Sequence, residues 1–270
     1  NFPGFPEGIM GPELMTQMQK QAERFGAEIL YDDVTSVELA GPIKKISLGN
    51  GDTVEAKAVI VATGSAYRKL GIPDEDRLSG YGVSWCATCD GAFYRQKVVA
   101  VVGGGDSAME EATFLTRFAD KVYIIHRSES LRASAVMQQR AQDDEKIEFI
   151  FNGTVARVYG DELVSGIGLV DTVTGEERTL DVSGMFIAIG SDPRTHVVHG
   201  QLDLTENGTI AVTGRTSKTN LEGVFAAGDV IDPTYRQAVT AAGSGCVAAL
   251  DAQHYLESLP HDLTAAHHSA

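Results

Sequence analysis

Apolar residues along the chain fall into short runs that are separated by polar, glycine-containing breaks. Near the start, apolar positions three and four residues apart predict a helix over Pro12–Phe25, which ends near Gly26. Runs rich in β-branched residues predict strands, and an Asn-Gly pair predicts a turn at Asn50-Gly51. The strands predicted in this part are Glu28–Tyr31, Thr35–Leu39, Ile43–Leu48 and Ala58–Ala62.

A strand, a helix and a second strand follow one another in the middle of the chain, at Val98–Val102, Ser107–Phe118 and Val122–Ile125. This order predicts a βαβ unit of a parallel sheet. A small antiparallel insert is predicted next, from pairing of Ile147–Phe151 with Val155–Tyr159 and of Val164–Val170 with Arg178–Val182. The remaining predicted elements are a strand at Met185–Ile189, a strand and turn at Val224–Asp229, and a helix at Arg236–Tyr255.

The composition indicates a globular protein with one large domain or two modest ones. The chain has 270 residues, and 43% of them are hydrophobic, so it can bury a proper core. A formal net charge of −15 argues against a nucleic-acid or anionic-membrane surface, because phosphates repel such a protein. We expect a cytoplasmic protein, since no apolar run could span a bilayer and no signal peptide opens the chain. The opening residues, Asn1–Pro6, resemble a loop in mid-fold, so we expect a fragment.

The clearest binding motif is the glycine-rich turn between the predicted strand Val98–Val102 and the helix after it. Residues 103–108 match the dinucleotide fingerprint G-x-G-x-x-A in the strand, turn and helix context that the fingerprint requires. Gly103 allows the tight turn, Gly105 lets a pyrophosphate approach the backbone, and Ala108 keeps the helix close to the strand. The start of the helix, at Asp106 and Ser107, supplies N–H groups and partial positive charge. The alternative is a tight turn without a ligand.

The end of the second strand of the βαβ unit indicates which nicotinamide nucleotide binds. An NAD site would place an acidic residue there, roughly 20 residues after the fingerprint. This chain instead has His126-Arg127, followed by Arg132. Arginine offers bidentate contacts to a 2′-phosphate, so NADPH is favoured over NADH. The alternative is that both arginines are ordinary surface charges.

A Cys-x-x-Cys pair, Cys86 and Cys89, is the reactive element of the sequence. Such a pair can close a small ring disulfide and exchange electrons. A structural zinc site would need further ligands, and the third cysteine, Cys246, lies far away in an alanine-rich segment. Redox activity is therefore favoured over zinc binding or inert thiols, and we predict no metal. Cys246 is interpreted as a small buried core residue.

Two aspartates are candidate site residues. Asp90 follows the cysteine pair and could shuttle a proton, since dithiol formation consumes protons; a turn or capping role is the alternative. Gly228-Asp229 ends a predicted strand before the helix that starts near Arg236, Gln237 and Ala238. The carboxylate could accept hydrogen bonds from sugar hydroxyls, and the helix start could stabilise charge on a flavin ring. A plain turn aspartate fits this position equally well.

Taken in order, the motifs resemble the low-molecular-weight thioredoxin reductases, especially those of high-GC Gram-positive bacteria. Cys-Ala-Thr-Cys-Asp-Gly at 86–91 is the most specific match. The resemblance covers nearly the whole chain and includes Asn1–Pro6, Ala62–Ser65, residues 103–108, His126-Arg127, Ala188–Gly190, Gly223–Asp229 and Tyr235–Ala238.

The resemblance implies an α/β fold of two Rossmann-like, three-layer nucleotide-binding domains. An FAD domain, residues 1–68 and 195–270, is interrupted by an inserted NADPH domain, residues 69–194, and the two linkers act as hinges. The family's first FAD-binding βαβ segment is missing before Asn1, so a chain that begins there should bind FAD poorly. FAD contacts are implied at Asn1, Thr63, Gly64, Gly228, Asp229, Arg236, Gln237 and Ala238.

The resemblance also implies the electron path. Electrons pass from NADPH to FAD, then to the Cys86–Cys89 disulfide and then to thioredoxin, in a homodimer. Cys89 would be the thiol nearer the flavin, Asp90 the acid, and Glu110 would lie near the nicotinamide unless it is only a solvated helix residue. NADPH contacts are implied at Gly103, Gly105, Asp106, Ser107, Ala108, His126, Arg127 and Arg132. Many relatives carry a second arginine where this chain has Ser128, which weakens the inference of a 2′-phosphate site.

Other functions stay open at this point. A flavoprotein reductase of another electron carrier would lack the cysteine pair, and a disulfide oxidase on the same scaffold would usually lack the glycine fingerprint. A non-catalytic nucleotide-binding remnant is the alternative from a different functional class, because the first FAD motif is missing.

Overall fold

The computed structural model describes residues 2–260 and divides them into two compact units. The first unit comprises the described residues of Asn1–Ala66 and Asp192–Ala270, and the second unit is Tyr67–Ser191. The chain passes between the units through β5 (Ser65–Tyr67) and β14 (Ser191–Pro193), which pair with each other. Among residues 2–260, no helix is both long enough and apolar enough to cross a bilayer.

A five-stranded parallel sheet forms the centre of the second unit. Its strands are β6 (Val83–Ser84), β7 (Val98–Val102), β8 (Lys121–Ile125), β9 (Ile147–Ile150) and β13 (Gly184–Ile187). They are arranged in the order β6-β13-β7-β8-β9.

Both faces of this sheet are buried, which gives the second unit three layers. On one face, Val99 and Val101 pack in the core that contains helix α3 (Asp106–Leu115), and helix α4 (Ala135–Gln142) contributes to the same core. On the other face, Ala100 and Val102 pack against a three-stranded antiparallel sheet. That sheet consists of β10 (Gly153–Tyr159), β11 (Gly166–Asp171) and β12 (Glu177–Leu180). Burial on two faces explains why the central strands are apolar throughout. Each buried valine stabilises the fold by roughly 1.5–3 kcal/mol.

The first unit is assembled from the two flanks of the chain. A parallel pair joins β4 (Val59–Val61) to β15 (Val224–Ala226). An antiparallel sheet joins β1 (Val34–Glu38), β2 (Lys44–Leu48) and β3 (Thr53–Ala56). Helix α5 (Ala238–Ser258) packs on β15 through Ala248 and Ala252. Helix α1 (Gly11–Arg24) also belongs to the first unit. The one-turn helix α2 (Ala87–Asp90) belongs to the second unit.

The structure confirms most of the predicted elements, including the βαβ unit, and corrects two. The predicted strand Glu28–Tyr31 is wrong: these residues form no strand, and Tyr31 is 83% exposed, because no described strand pairs with them. The predicted pairing of Ile147–Phe151 with Val155–Tyr159 is also wrong. Strand β9 instead joins the parallel sheet beside β8, and β10 pairs with β11. The sequence patterns missed the short elements β3, β5, β6, β14 and α2, and the helix α4.

Candidate functional site

The candidate functional residues of the second unit lie at one edge of the parallel sheet. Because β6, β7, β8 and β13 run parallel, the residues that follow them all lie at the carboxyl edge of the sheet. In open α/β sheets, ligands bind outside this edge. The fingerprint glycines follow β7, His126 follows β8, and the cysteine pair lies just beyond β6.

The first two fingerprint glycines are required by close packing. Gly103 has φ +155°, and a Cβ there would lie 2.4 Å from the carbonyl oxygen of Ala188 and 2.9 Å from Cβ of Ala108. A Cβ on Gly104 would lie 2.3 Å from the imidazole ring of His126. A side chain at either position would force the neighbouring atoms to move, since real Cβ atoms essentially never approach other atoms this closely.

The third glycine faces open space. A Cβ on Gly105 would meet no atom within 4 Å, and its φ of −99° suits any residue. Helix α3 begins at the next residue, and Ser107 and Asp106 are exposed in its first turn. Ala108 is fully buried and closes the helix onto the strand. This combination of open space and a helix N-terminus fits a bound pyrophosphate.

The segment after β8 is tied to the glycine turn by its backbone. The N–H groups of Arg132 and Ala133 donate to the carbonyl oxygen of Gly104, at 2.7 and 3.0 Å. Asp106 fixes the same segment, because its Oδ1 accepts from the N–H of Ser134 at 2.6 Å. The Arg127 and Arg132 side chains are exposed and therefore accessible to an anionic ligand.

His126 is buried, unlike the two arginines. Its Nε2 lies 3.1 Å from the carbonyl oxygen of Ser130 and 2.9 Å from Oγ of Ser128. Burial lowers the pKa of His126, and the positive charges of Arg132 and Arg127 lower it further, against the opposing effect of the Ser130 hydrogen bond. The ring is therefore neutral near pH 7 and donates Nε2–H to Ser130. This leaves Arg127 and Arg132 as the cations of the segment.

The cysteine pair is closed as a disulfide in the structure. Cys86 and Cys89 are joined, with their Cα atoms 5.3 Å apart, at the start of the one-turn helix α2. The backbone N–H of Cys89 points at Sγ of Cys86 at 3.2 Å. A closed disulfide supports the redox interpretation over zinc binding or inert thiols.

Asp90 is held next to the disulfide by Ser84 at the end of β6. The Ser84 hydroxyl donates to Oδ2 of Asp90 at 2.6 Å and accepts from the backbone N–H of Cys86 at 3.1 Å. Ser84 thus connects the carboxylate to the backbone of the first cysteine. No sequence pattern singled out Ser84, because its role depends on the two-residue strand β6.

Packing against the α3 region fixes the turn that follows the disulfide. Gly91 is buried, and a Cβ there would lie 3.2–3.4 Å from Leu115, Phe118 and Phe114 of the α3 region. Tyr94 stacks edge-on against Phe186 and covers Gly184. Burial raises the pKa of the Tyr94 hydroxyl, and the charge of Asp90 adds to this effect.

In the first unit, two pairs of candidate residues follow adjacent parallel strands. Thr63-Gly64 comes after β4 and Gly228-Asp229 after β15, so both pairs lie at the carboxyl edge of that strand pair. Burial raises the pKa of Asp229, with a further rise from Asp232 and an opposing effect of Arg236. The Thr63 hydroxyl donates to the carbonyl oxygen of Arg194 at 2.6 Å.

The start of α5 is organised by Asp232, which the sequence patterns did not single out. Its carboxylate accepts from the backbone N–H groups of Thr234, Tyr235 and Arg236 at 2.8–2.9 Å, and these bonds lower its pKa against the effect of burial. Arg236 has φ +48°, an uncommon left-handed conformation for a non-glycine residue. Gln237 and Thr240 then form a reciprocal capping box at the start of the helix that Ala238 opens. The Asp-Pro sequence at 232–233 is the turn signal that could have identified this segment.

Three further predictions concern single residues. Asn1 lies outside the described residues. Glu110 is exposed on α3. The prediction that Cys246 is buried is wrong: its side chain is exposed on α5, because no described element covers that side of the helix.

A separate cavity of about 500 Å³, lined by residues that include Tyr31, Asp32 and Asn50, contains none of the predicted site residues.

Comparisons with known proteins agree with this geometry. A family profile described as pyridine nucleotide-disulphide oxidoreductase matches residues 6–245. Thioredoxin reductase of Streptomyces clavuligerus is 60% identical over 259 residues, which cover 96% of this chain and 80% of the relative. The solved thioredoxin reductase of Streptococcus pyogenes is 40% identical with a TM-score of 0.91, over 96% of this chain and 84% of that chain.

A further solved structure extends the match beyond bacteria. The solved thioredoxin reductase of Giardia duodenalis is 43% identical with a TM-score of 0.89, over 95% of this chain and 84% of that chain. The chain therefore belongs to the pyridine nucleotide-disulphide oxidoreductase family and, within it, to the thioredoxin reductases.

Proposed function

We propose that this chain uses NADPH and FAD to reduce the Cys86–Cys89 disulfide, which then reduces thioredoxin. One observation carries the proposal: the closed disulfide and the open glycine turn at Gly105 lie at the same carboxyl edge of one sheet. A relative from Mycobacterium leprae, 55% identical, is described as a bifunctional thioredoxin reductase/thioredoxin. A reductase and a thioredoxin combined in one relative support thioredoxin as the partner.

The residues that would hold NADPH surround the glycine turn. The backbone at Gly103, Gly105 and Ala108 and the first turn of α3 at Asp106 and Ser107 suit the pyrophosphate. The exposed guanidinium groups of Arg127 and Arg132 suit the 2′-phosphate, because arginine binds phosphate oxygens through two parallel hydrogen bonds. The buried, neutral His126 shapes the segment that carries these arginines instead of adding a charge.

The residues that would hold FAD lie in the first unit. Thr63, Gly64, Gly228 and Asp229 would accept and donate hydrogen bonds at the edge of the strand pair. Arg236, Gln237 and Ala238 would present the α5 N-terminus, where partial positive charge stabilises an anion. When bound, FAD supplies a two-electron carrier between the nicotinamide and the disulfide. The predicted contact at Asn1 stays a prediction, as do the homodimer and the cytoplasmic location.

The cysteine pair carries the chemistry that belongs to the chain itself. Reduction of the Cys86–Cys89 bond takes two electrons and two protons and yields two thiols. Asp90 would hold and deliver one of these protons, and its support is that Ser84 fixes its carboxylate beside the pair. One thiol gives up its proton, and the resulting thiolate attacks the disulfide of thioredoxin to form a mixed disulfide. The second cysteine sulfur then attacks this bond and restores the Cys86–Cys89 bond, and thioredoxin leaves with two thiols that carry the two protons.

The test is an anaerobic titration of the FAD-loaded protein with NADPH, with and without oxidised thioredoxin. We expect Cys86→Ser and Cys89→Ser to abolish thioredoxin reduction while NADPH still bleaches the flavin absorbance. Cys246→Ser is the matched control, and we expect it to retain full activity because this exposed thiol lies on a helix of the other unit. Thioredoxin reduction that survives loss of either redox sulfur would disprove the mechanism, and equal bleaching by NADH would disprove the role of Arg127 and Arg132.

A further inference from the structure

Trp85, the only tryptophan of the chain, lies between the end of β6 and the redox disulfide. Its indole N–H donates to the carbonyl oxygen of Arg68 at 3.1 Å. Its ring also stacks on Tyr67, with the ring centroids 6.3 Å apart and the two planes inclined by 23°. One side chain therefore holds the backbone next to Cys86 by a hydrogen bond and by an aromatic contact.

The contacts of Trp85 connect the disulfide to the segment by which the chain enters the second unit. Tyr67 ends β5, and Arg68 follows it. Trp85 is partly buried and, like Leu70 and Ile72, packs against the hydrophobic core on one face of the five-stranded sheet. All these residues belong to the second unit. The indole is thus anchored within its own unit, to a backbone oxygen 17 residues earlier in the sequence.

The turn that carries the disulfide is also held on both sides of Trp85. Before Trp85, Ser84 is fixed by the pairing of β6 with β13, and its hydroxyl accepts from the N–H of Cys86. After the disulfide, Gly91 is packed so closely that a Cβ there would lie 3.2 Å from Leu115. Trp85 lies one residue beyond the strand, where its side chain supplies the anchor.

Closure of the disulfide and anchoring of the turn restrict the same freedom of the chain. While the Cys86–Cys89 bond is closed, the bond itself holds the two sulfur atoms together. Once the bond is reduced, only the anchors of the turn keep the two thiols close enough to react with each other. An anchor beside Cys86 therefore restricts the dithiol form more than the disulfide form, and it favours closure of the ring.

We infer that Trp85 is a positioning residue that lowers the reduction potential of the Cys86–Cys89 pair by holding Cys86 against the Tyr67–Arg68 segment. The inference rests on the proposed function, because it concerns the pair through which the electrons pass. Trp85 acts through the backbone of Cys86 and takes no part in the transfer of electrons or protons. Loss of this anchor gives the dithiol form more freedom, so the pair becomes easier to reduce.

The test measures the anaerobic equilibrium of the full chain with mixtures of reduced and oxidised dithiothreitol. In this exchange the Cys86–Cys89 bond breaks, the reagent forms its own cyclic disulfide, and two electrons and two protons pass to the cysteine sulfurs. Acid quenching, thiol alkylation and mass spectrometry give the fraction of the pair that is reduced.

We expect Trp85→Ala to shift the equilibrium constant about tenfold toward the dithiol, which corresponds to about 30 mV for a two-electron couple. Trp85→Phe keeps an aromatic ring and loses the N–H donor, so it should shift the constant about threefold in the same direction. Equal constants in the wild type and both variants overturn the inference, as does a shift toward the disulfide. A lower unfolding temperature without a shift would show a merely structural role and would overturn it too.

Two further variants test whether Trp85 acts through its observed contacts. Tyr67→Leu removes the stacked ring and should shift the equilibrium toward the dithiol. This effect should disappear in the Trp85→Ala background, because the partner ring is already lost, and additive effects would contradict the inference. Tyr81→Ala is the matched control, since Tyr81 lies four positions before Trp85 and is 59% exposed. We expect it to leave the equilibrium unchanged.

The dithiothreitol equilibrium needs neither NADPH nor thioredoxin, so its outcome is separate from the test of the proposed function. A shift in Trp85→Ala supports the positioning role even if the wild type reduces no thioredoxin. A wild type that turns over thioredoxin, combined with an unshifted equilibrium in Trp85→Ala, removes the positioning role and leaves the proposed function intact.

Discussion

Two neighbouring glycines in the fingerprint lie in different surroundings, since Gly104 is closely packed and Gly105 faces open space. Substitutions at the two positions can test this difference. Gly105→Ala adds a methyl group in open space at an ordinary φ, so we expect the unfolding temperature to stay the same or rise slightly. If a pyrophosphate approaches the backbone here, the methyl group displaces it. We expect KM for NADPH to rise about tenfold, equivalent to about 1.4 kcal/mol, in steady-state assays.

Gly104→Ala is the contrasting variant. Its new Cβ would lie 2.3 Å from the His126 ring, so the ring must move and the protein must lose stability by about 1–3 kcal/mol. Thermal unfolding measures this loss. If Gly105→Ala binds NADPH normally, the open space at this turn is not a phosphate site, whatever the result for Gly104→Ala.

His126 should make stability depend on pH. Its pKa is lowered in the folded protein below the ordinary value of 6.5, so the unfolded chain binds more protons between the two values. The stability contribution is therefore fully present above pH 6.5 and declines as the pH falls toward the lowered pKa. We expect the free energy of unfolding of the wild type to fall below pH 6.5 relative to His126→Gln, as measured by urea denaturation. Parallel curves for the two proteins would contradict the neutral, buried imidazole.

At the scale of an element, Glu75 organises the segment by which the chain enters the second unit. Only 2% of Glu75 is exposed, and its carboxylate accepts from the backbone N–H groups of Leu70, Gly71 and Ile72 at 2.7–3.3 Å. Glu75→Ala leaves these donors without their acceptor. We expect a loss of about 2–3 kcal/mol in the free energy of unfolding, together with faster proteolysis within residues 69–76.

Asp76→Ala is the matched control for Glu75→Ala. Asp76 is one residue away and pairs with Lys69, but both side chains are exposed. Exposed ion pairs contribute little to stability, so the unfolding midpoint should not change. Equal effects of the two substitutions would mean that charge in this segment matters more than the buried backbone contacts of Glu75.

Elements with a local signature were predictable from the sequence. Strand β7 matches its prediction residue for residue. Five consecutive apolar residues precede the glycine fingerprint, and this fingerprint occurs between a strand and a helix. Helix α5 was predictable from its small and apolar residues, although it begins two residues later than predicted, after the capping box. The two-residue strand β6 has no pattern of its own, and only its partner β13 defines it.

The remaining errors concern contacts between distant residues. A short, largely apolar segment such as Ile147–Ile150 is compatible with a hairpin or with a parallel sheet, and its neighbour β8 decides which one forms. Cys246 is a small residue in an alanine-rich helix, which suggests burial, but its exposure depends on what packs beside α5. The candidate cysteines, glycines and arginines were identified by motif, whereas Ser84 and Asp232 required three-dimensional contacts.

In the whole molecule, the second unit is inserted into the sequence of the first unit. We therefore expect the second unit, and not the first, to fold alone. Residues 67–191 are contiguous and contain two hydrophobic cores, one on each face of the five-stranded sheet. We expect this fragment to unfold cooperatively and to bind 2′,5′-ADP, which carries the phosphate that distinguishes NADPH. Circular dichroism and calorimetry measure both properties. A fragment that lacks a cooperative transition would show that the second unit depends on the flanks.

The pairing of β4 with β15 has a consequence for synthesis in the cell. Val59 leaves the ribosome long before its partner Val224, and at about 5–20 residues per second the delay is roughly 10–30 s. The inserted unit can reach its native state during this interval, while the apolar strand Val59–Val61 still lacks β15, its partner among the described residues. Newly made chains should therefore leave the edge of β4 that pairs with β15 open to chaperones until translation of the chain reaches β15.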